Sequence, residues 1–175
     1  MRAALGVMKY RILGQLTGPR GRAECLIDAP VPPGTGLDWS GPVSGEIELE
    51  KAQDEYWACG HLQATVLLPC SRCAAAHPVP LNLEIEESVA LRQLDEPGAY
   101  DETEAPAPIP ILEGETIDLT ELVRQMLVLN VPARSLCRPD CRGVCPHCGQ
   151  DLNQGECACD QQEIDPRLEA LRELL

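Results

Sequence analysis

The chain has 175 residues, no Phe and only 3% aromatic residues, so it fits one domain with a small appended module, and its core must be aliphatic. Its formal net charge of −14 repels phosphate. That argues against a general grip on nucleic acid and for a basic protein partner. No stretch approaches the roughly 20 apolar residues of a membrane helix, and ten cysteines in a chain without a secretory signal point to the reducing cytosol and to metal before disulfides.

Met1–Val7 carries too short an apolar run for a signal peptide and reads as a ragged leader before Met8, a second candidate start. Met8, Tyr10 and Ile12 alternate with Lys9, Arg11 and Leu13 as a short edge strand. Residues 14–42 are rich in Gly and Pro and read as loop, with one short strand at the apolar patch Cys25-Leu26-Ile27.

Three stronger strands follow, each with the two-residue period of a half-buried strand. Val43, Gly45, Ile47 and Leu49 alternate with Ser44, Glu46, Glu48 and Glu50. Leu62, Ala64, Val66 and Leu68 form the inward set of a second strand, and Val79, Leu81, Leu83 and Ile85 that of a third. Roughly ten-residue spacing without a helical period between them implies an antiparallel sheet.

Residues 95–115 hold seven acids, four prolines and no basic residue, too little apolar area to offset ordering entropy, and read as an acidic linker or loop. A helix is expected over 118–130, with Asp118 as N-cap, Glu121 completing a capping box, and Leu119, Leu122, Val123, Met126 and Leu127 on one face. Pro132 closes it. Asp165-Pro166 opens a short C-terminal helix with Leu168, Leu171, Leu174 and Leu175 on its apolar side. The expected fold class is α+β: an antiparallel sheet, open or partly closed into a barrel, with one packed helix, a Cys-rich zinc-binding segment and a short terminal helix. The expected regions are 1–94 (mainly β), 95–115 (linker) and 116–175 (helix, cysteines, terminal helix).

Six cysteines crowd into 23 residues: Cys137, Cys141, Cys145, Cys148, Cys157 and Cys159. Structural zinc takes four soft ligands in a tetrahedron, and a two-residue gap lets two cysteines of one tight turn face one ion. Cys145-Pro146-His147-Cys148-Gly149 has the form of such a knuckle, with proline bending the chain in and glycine permitting a positive-φ exit. Cys145 and Cys148 are therefore the first candidate ligands. Two more come from Cys137, Cys141, Cys157 and Cys159, with a shared two-metal cluster as the alternative. Arg138, Arg142 and the backbone amides of the turn are placed to offset thiolate charge. Cys70-Ser71-Arg72-Cys73 is a second two-residue gap and reads as a tight turn with two half-buried thiols. Its alternatives are a second site completed by Cys59, His61 and His77, or one shared with two of the downstream cysteines.

No nucleophile elbow, phosphate loop or metalloprotease motif accompanies the three histidines, His61, His77 and His147, so no catalytic residue is assigned and an enzyme is not expected. Cys145 and Cys148 also match a thiol–disulfide exchange spacing. That chemistry wants the pair at a helix start after a buried strand, and the flanking sequence offers neither.

The run Cys137-Arg138-Pro139-Asp140-Cys141-Arg142-Gly143-Val144-Cys145-Pro146-His147-Cys148-Gly149 resembles the YceD family of large ribosomal RNA subunit accumulation proteins. So do Asp151-Leu152-Asn153, Cys157-Ala158-Cys159, Asp165-Pro166-Arg167-Leu168 and the upstream Cys70-Ser71-Arg72-Cys73. The resemblance covers about residues 40–175. It implies a non-catalytic bacterial or plastid-type factor supporting synthesis, processing or stability of large-subunit ribosomal RNA. With the acidic charge, it implies contact with a basic ribosomal protein or a large-subunit assembly intermediate, RNA being touched indirectly or weakly, and no membrane or small-molecule substrate. Zinc is then structural. The rival readings are a redox protein using Cys145 and Cys148, and a zinc-dependent RNA-binding module.

Overall fold

A computed structural model describes residues 8–12, 15–16, 21–52, 55–89, 92–93, 111–113 and 116–159. Its elements, in chain order, are β1 (Lys9–Arg11), β2 (Arg22–Ala29), β3 (Asp38–Trp39), β4 (Val43–Ala52), β5 (Glu55–Pro69), β6 (Ala76–Val89), β7 (Arg92–Gln93), β8 (Ile111–Glu113), β9 (Thr116–Asp118) and α1 (Thr120–Leu129). The expected helix at 165–175 and most of the 95–115 segment lie outside the described residues.

The larger sheet is built from β2, β4, β5 and β6 as consecutive antiparallel neighbours, with β3 continuing the β4 edge of β5. Its inward rows are the alternating apolar residues: Ala23, Cys25, Ile27 and Ala29 on β2; Val43, Ile47 and Leu49 on β4; Ala58, Leu62, Ala64, Val66 and Leu68 on β5; Leu81, Leu83 and Ile85 on β6. β5 and β6 are longer than expected, 15 and 14 residues, because their pairing runs unbroken from Tyr56–Val89 to Pro69–Ala76. Pro78 and Pro80 are tolerated because among the described residues β6 pairs only with β5, so an outward-facing missing N–H need not break a ladder.

The smaller sheet orders β1, β9, β8 and β7. β1 pairs antiparallel with β9, and Met8 locks the join: its N–H donates to Thr120 Oγ1 at 2.9 Å and its carbonyl accepts from Leu119 N–H at 2.9 Å. α1 is too short to be stable alone. It is held by Leu119, Leu122, Val123, Met126 and Leu127, all buried in the same core as the sheet rows. Burying a side chain of this size contributes roughly 1.5–3 kcal/mol each.

Five expectations are corrected. The 14–42 region contains a full eight-residue strand, β2, with strict in-out alternation; its signal was masked because three of the four inward residues, Ala23, Cys25 and Ala29, are small, and Leu26, as large as the inward Ile27, faces outward at 68% exposure. The helix begins at Thr120, not 118, since Asp118 is spent in the β1–β9 ladder and its carboxylate accepts the Thr120 N–H at 2.9 Å. Glu121 does not close a capping box but holds Arg124 (2.6 Å) and Gln125 (2.8 Å). Part of the expected linker, Ile111–Glu113, is β8. Neither sheet closes into a barrel: among the described residues β2 and β6 each pair with one neighbour and not with each other.

Candidate metal centre

The β5–β6 hairpin ends in Cys70-Ser71-Arg72-Cys73-Ala74. Cys70 N–H donates to Ala75 O at 2.9 Å and Ala74 N–H donates back to Cys70 O at 2.9 Å. The second turn, Cys145-Pro146-His147-Cys148-Gly149, repeats the scheme: Cys145 N–H donates to Gln150 O at 2.8 Å and Gly149 N–H to Cys145 O at 2.9 Å. In both, the residue after the second cysteine is left-handed, with φ 58° at Ala74 and 74° at Gly149. Two stretches far apart in sequence thus build one turn, and in each it brings both thiols together.

A strap lays the segment after α1 across the first turn. Ser71 N–H donates to Ser135 O at 2.8 Å, Ser135 N–H to Ser71 Oγ at 3.2 Å, and Ser135 Oγ to Pro69 O at 3.2 Å. This sets Cys137 beside Cys73 (Sγ–Sγ 3.7 Å) and, one turn on, Cys141 beside Cys70 (3.8 Å). The sulfurs of Cys70, Cys73, Cys137 and Cys141 all lie within 4.8 Å of one another, and so do those of Cys145, Cys148, Cys157 and Cys159. Four thiolates at about 2.3 Å from a tetrahedral ion stand about 3.8 Å apart. The measured spacings in the first group match that edge, so either group could hold one metal ion. All ten cysteines carry free thiols.

The ionisation of the thiols agrees with that reading. Backbone N–H groups of Cys137, Cys73 and Arg72 pull the Cys70 thiol down to about 5. Burial, with the neighbouring thiols of Cys141, Cys73 and Cys70, pushes Cys137 up to about 12. In the second group Cys148, together with burial and Cys145, pushes Cys159 up to about 12. In the first group one thiolate forms readily at Cys70 and the next is resisted; a divalent cation would remove the conflict.

The six downstream cysteines therefore do not form one site with two spare thiols. Cys137 and Cys141 join Cys70 and Cys73, and Cys145, Cys148, Cys157 and Cys159 form a second group. Cys59 and His61 belong to neither: Cys59 pairs with Glu48 and Glu86 on the outer face of β5, eleven residues and about 36 Å of strand from Cys70. His77 sits opposite Leu68 on β6, its Nδ1 3.4 Å from Ala75 O. The Cys145–Cys148 pair occupies a turn between the bridged residues Val144 and Asp151, not a helix start, so the redox geometry is not met.

Asn153 was not singled out by the spacing argument. Its Nδ2 donates to Asp151 Oδ1 (2.7 Å) and lies 3.5 Å from Cys141 Sγ, while its Oδ1 accepts from Arg142 N–H (2.8 Å) and Arg138 Nη2 (2.7 Å). The hydrogen bonds of Arg138 and of the Arg142 backbone thus go to this amide rather than to sulfur. Arg72 makes a parallel tie, donating from Nη1 to Cys141 O at 2.7 Å and accepting Val144 N–H at 3.2 Å. Gly143 lies against it: φ is 77°, and a Cβ there would stand 3.0 Å from Arg72 O.

Fold and site together define a mostly antiparallel sheet protein carrying two all-cysteine groups of metal-ligating geometry. The family model described as large ribosomal RNA subunit accumulation protein YceD matches residues 58–175, and the chain belongs to this family. The match starts within β5 and takes in β6, α1 and both cysteine groups. An uncharacterised protein of Mycobacterium tuberculosis (strain ATCC 25618 / H37Rv) is 30% identical over 130 residues, 74% of this chain and 60% of its own length. Uncharacterised protein YlbN of Bacillus subtilis (strain 168) is 29% identical over 115 residues, 65% of this chain and 63% of its own length. A Zea mays relative named large ribosomal RNA subunit accumulation protein YCED homolog 1, chloroplastic, is 25% identical over 182 residues, covering 87% of this chain and 61% of that one. The chain thus spans about three-fifths of the length of each of these three relatives. No solved structure shows a significant match. No helix among the described residues is long and apolar enough to cross a membrane.

Proposed function

We propose that the protein is a non-catalytic cytoplasmic factor that supports accumulation of large-subunit ribosomal RNA, holds two structural zinc ions, and works by contacting a basic ribosomal protein. Family membership supports the ribosomal RNA role, and the name of the maize relative agrees with it. Zinc suits the donor sets, four thiolates each, which fill a tetrahedron and leave no open position for substrate water.

The observation that carries the partner is the outer face of the larger sheet. Glu24 stands directly opposite Glu48, Glu46 opposite His61, and Glu84 and Glu86 extend the acidic rows onto β6. Like charges directly opposite on neighbouring strands, as at Glu24 and Glu48, are destabilising; Arg22 bridges Glu48 and Glu50 (both 3.2 Å), and His61 Nδ1 lies 3.7 Å from Glu46. A basic surface would relieve that repulsion, and mutual steering would speed the encounter. Direct binding to RNA is the weaker reading because two arginines of the cysteine segment are matched to acids: Arg138 faces Asp140 at 3.6 Å and Arg142 faces Glu156 at 3.8 Å.

The test is low-salt capture of the full tagged chain from its own cells, with and without ribonuclease. Large-subunit precursors, with a basic ribosomal protein retained after ribonuclease and lost on combined Glu24→Gln, Glu48→Gln and Glu86→Gln substitution, are the expected outcome. Recovery of no ribosomal component would contradict the proposal.

A further inference from the structure

The two cysteine groups are separated in sequence by only three residues, Arg142, Gly143 and Val144, yet they are joined by more than chain continuity. Each end of the joint is a hydrogen bond. Arg72, inside the first knuckle, accepts Val144 N–H at 3.2 Å, and Gly143 O accepts Leu152 N–H at 2.9 Å from the loop that closes the second group. Between them stands Asn153. It belongs to the Cys148–Cys157 loop of the second group, but its Nδ2 faces Cys141 Sγ, a thiol of the first, at 3.5 Å. Its orientation is fixed by Asp151, which accepts both its N–H (2.9 Å) and its Nδ2 (2.7 Å). The hydrogen-bonded Asn153 holds the Asp151 carboxyl below its ordinary range, so the acceptor stays ionised and the amide stays aimed. Arg138 and the Arg142 backbone, both from the first group's own segment, hold the amide oxygen.

We propose that the two metal centres are thermodynamically coupled, and that Asn153 is the positioning residue that carries the coupling. The inference rests on both groups binding metal. Metal in the second group orders the 149–156 loop and presents the Asn153 amide to Cys141. An N–H donor there stabilises the thiolate form and lowers the charge on a centre with four anionic sulfurs, as outer-sphere donors do at zinc sites. By reciprocity, metal in the first group fixes Cys141 and the Arg142 backbone, which hold Asn153 and so pre-order the loop of the second. Filling either centre therefore raises the affinity of the other.

The experiment uses the full chain, reduced and metal-free, titrated with cobalt(II), whose thiolate charge-transfer bands report each centre. Cys157→Ser/Cys159→Ser isolates the first centre, and Cys70→Ser/Cys73→Ser isolates the second. Circular dichroism of the sheet confirms that each variant remains folded. Asn153→Ala should still take two ions, with affinity at the first centre about 10–100-fold lower. Its charge-transfer band should shift to lower energy, because a sulfur without its hydrogen bond is a better electron donor. Asn153→Asp, which turns a donor into an anion beside Cys141, should lose more. In the Cys157→Ser/Cys159→Ser background the further loss from Asn153→Ala should be small, since the loop is already released. First-centre affinity and band position unchanged by Asn153→Ala, with two ions bound, would overturn the coupling alone. A parent chain that binds no cobalt would overturn the metal reading and the coupling with it.

Discussion

The sheet and the cysteine segment reach ordered structure by different means. In the sheet and helix, buried aliphatic residues from Met8 to Leu127 form one core, and alternation alone decides which side of each strand faces it. In 133–159 the only buried hydrophobic residues are Cys141 and Cys145, while Leu136 and Val144 are 39% and 40% exposed. That segment has a hydrogen-bond frame and thiols but almost no apolar interior. If the thiols hold metal as proposed, the order of that segment depends on it, whereas the order of the sheet does not.

The largest expected effect separates the two regions. Ligation contributes roughly 10–16 kcal/mol of apparent folding energy at a structural zinc site, so a strong chelator should expose 133–159 to protease and to rapid amide exchange while β4–β6 stay protected. Equal loss of protection in both regions would erase the distinction. Within the sheet, Leu62→Ala should cost about 2–5 kcal/mol, read as a lower urea midpoint, with the metal bound per folded molecule unchanged. Smaller in size is Ala74→Gly. Relief of a left-handed alanine gains roughly 1–2 kcal/mol and is partly offset by unfolded-chain entropy. First-centre metal affinity should rise a few-fold, against no change at the second knuckle, where Gly149 is already present.

A pH series sharpens the comparison from the sheet side. Burial, with Glu24, pushes the Cys25 thiol up to about 12, and burial, with Cys25, pushes the Tyr10 hydroxyl up to about 12. Both folded values exceed the unfolded ones, so the fold favours the protonated forms. Their contribution is complete below about pH 8.5, the unfolded thiol value, and is lost as pH rises toward 12. Cys25→Ala should flatten the fall in the urea midpoint over that window; an unchanged slope would show that Cys25 does not contribute.

The same division explains what could be read before the structure. β4, β5 and β6 were legible because Ile47, Leu62 and Leu83 and their neighbours repeat at the strand period. The knuckle at Cys145–Gly149 was legible because proline, two cysteines and glycine specify a local turn. Of β2 only the Cys25-Leu26-Ile27 patch was legible as a short strand, because Ala23, Cys25 and Ala29 are inward but weakly apolar. A site shared by Cys70 and Cys73 with two downstream cysteines stood among the alternatives, but the choice of Cys137 and Cys141 spans more than sixty residues and depends on the Ser135 strap at the end of β5, which no local spacing encodes. Asn153 stood in the Asp151-Leu152-Asn153 motif of the family resemblance, but its role did not: an asparagine in a polar loop looks like turn chemistry until its amide is seen facing a cysteine of another group.

Zinc stoichiometry by native mass spectrometry of the full reduced chain tests the proposed pair of separate four-cysteine zinc centres most directly. Two ions per chain are expected. One ion should survive in Cys70→Ser/Cys73→Ser, and one in Cys157→Ser/Cys159→Ser. A single ion in the parent chain that is untouched by loss of Cys70 and Cys73 would contradict the account.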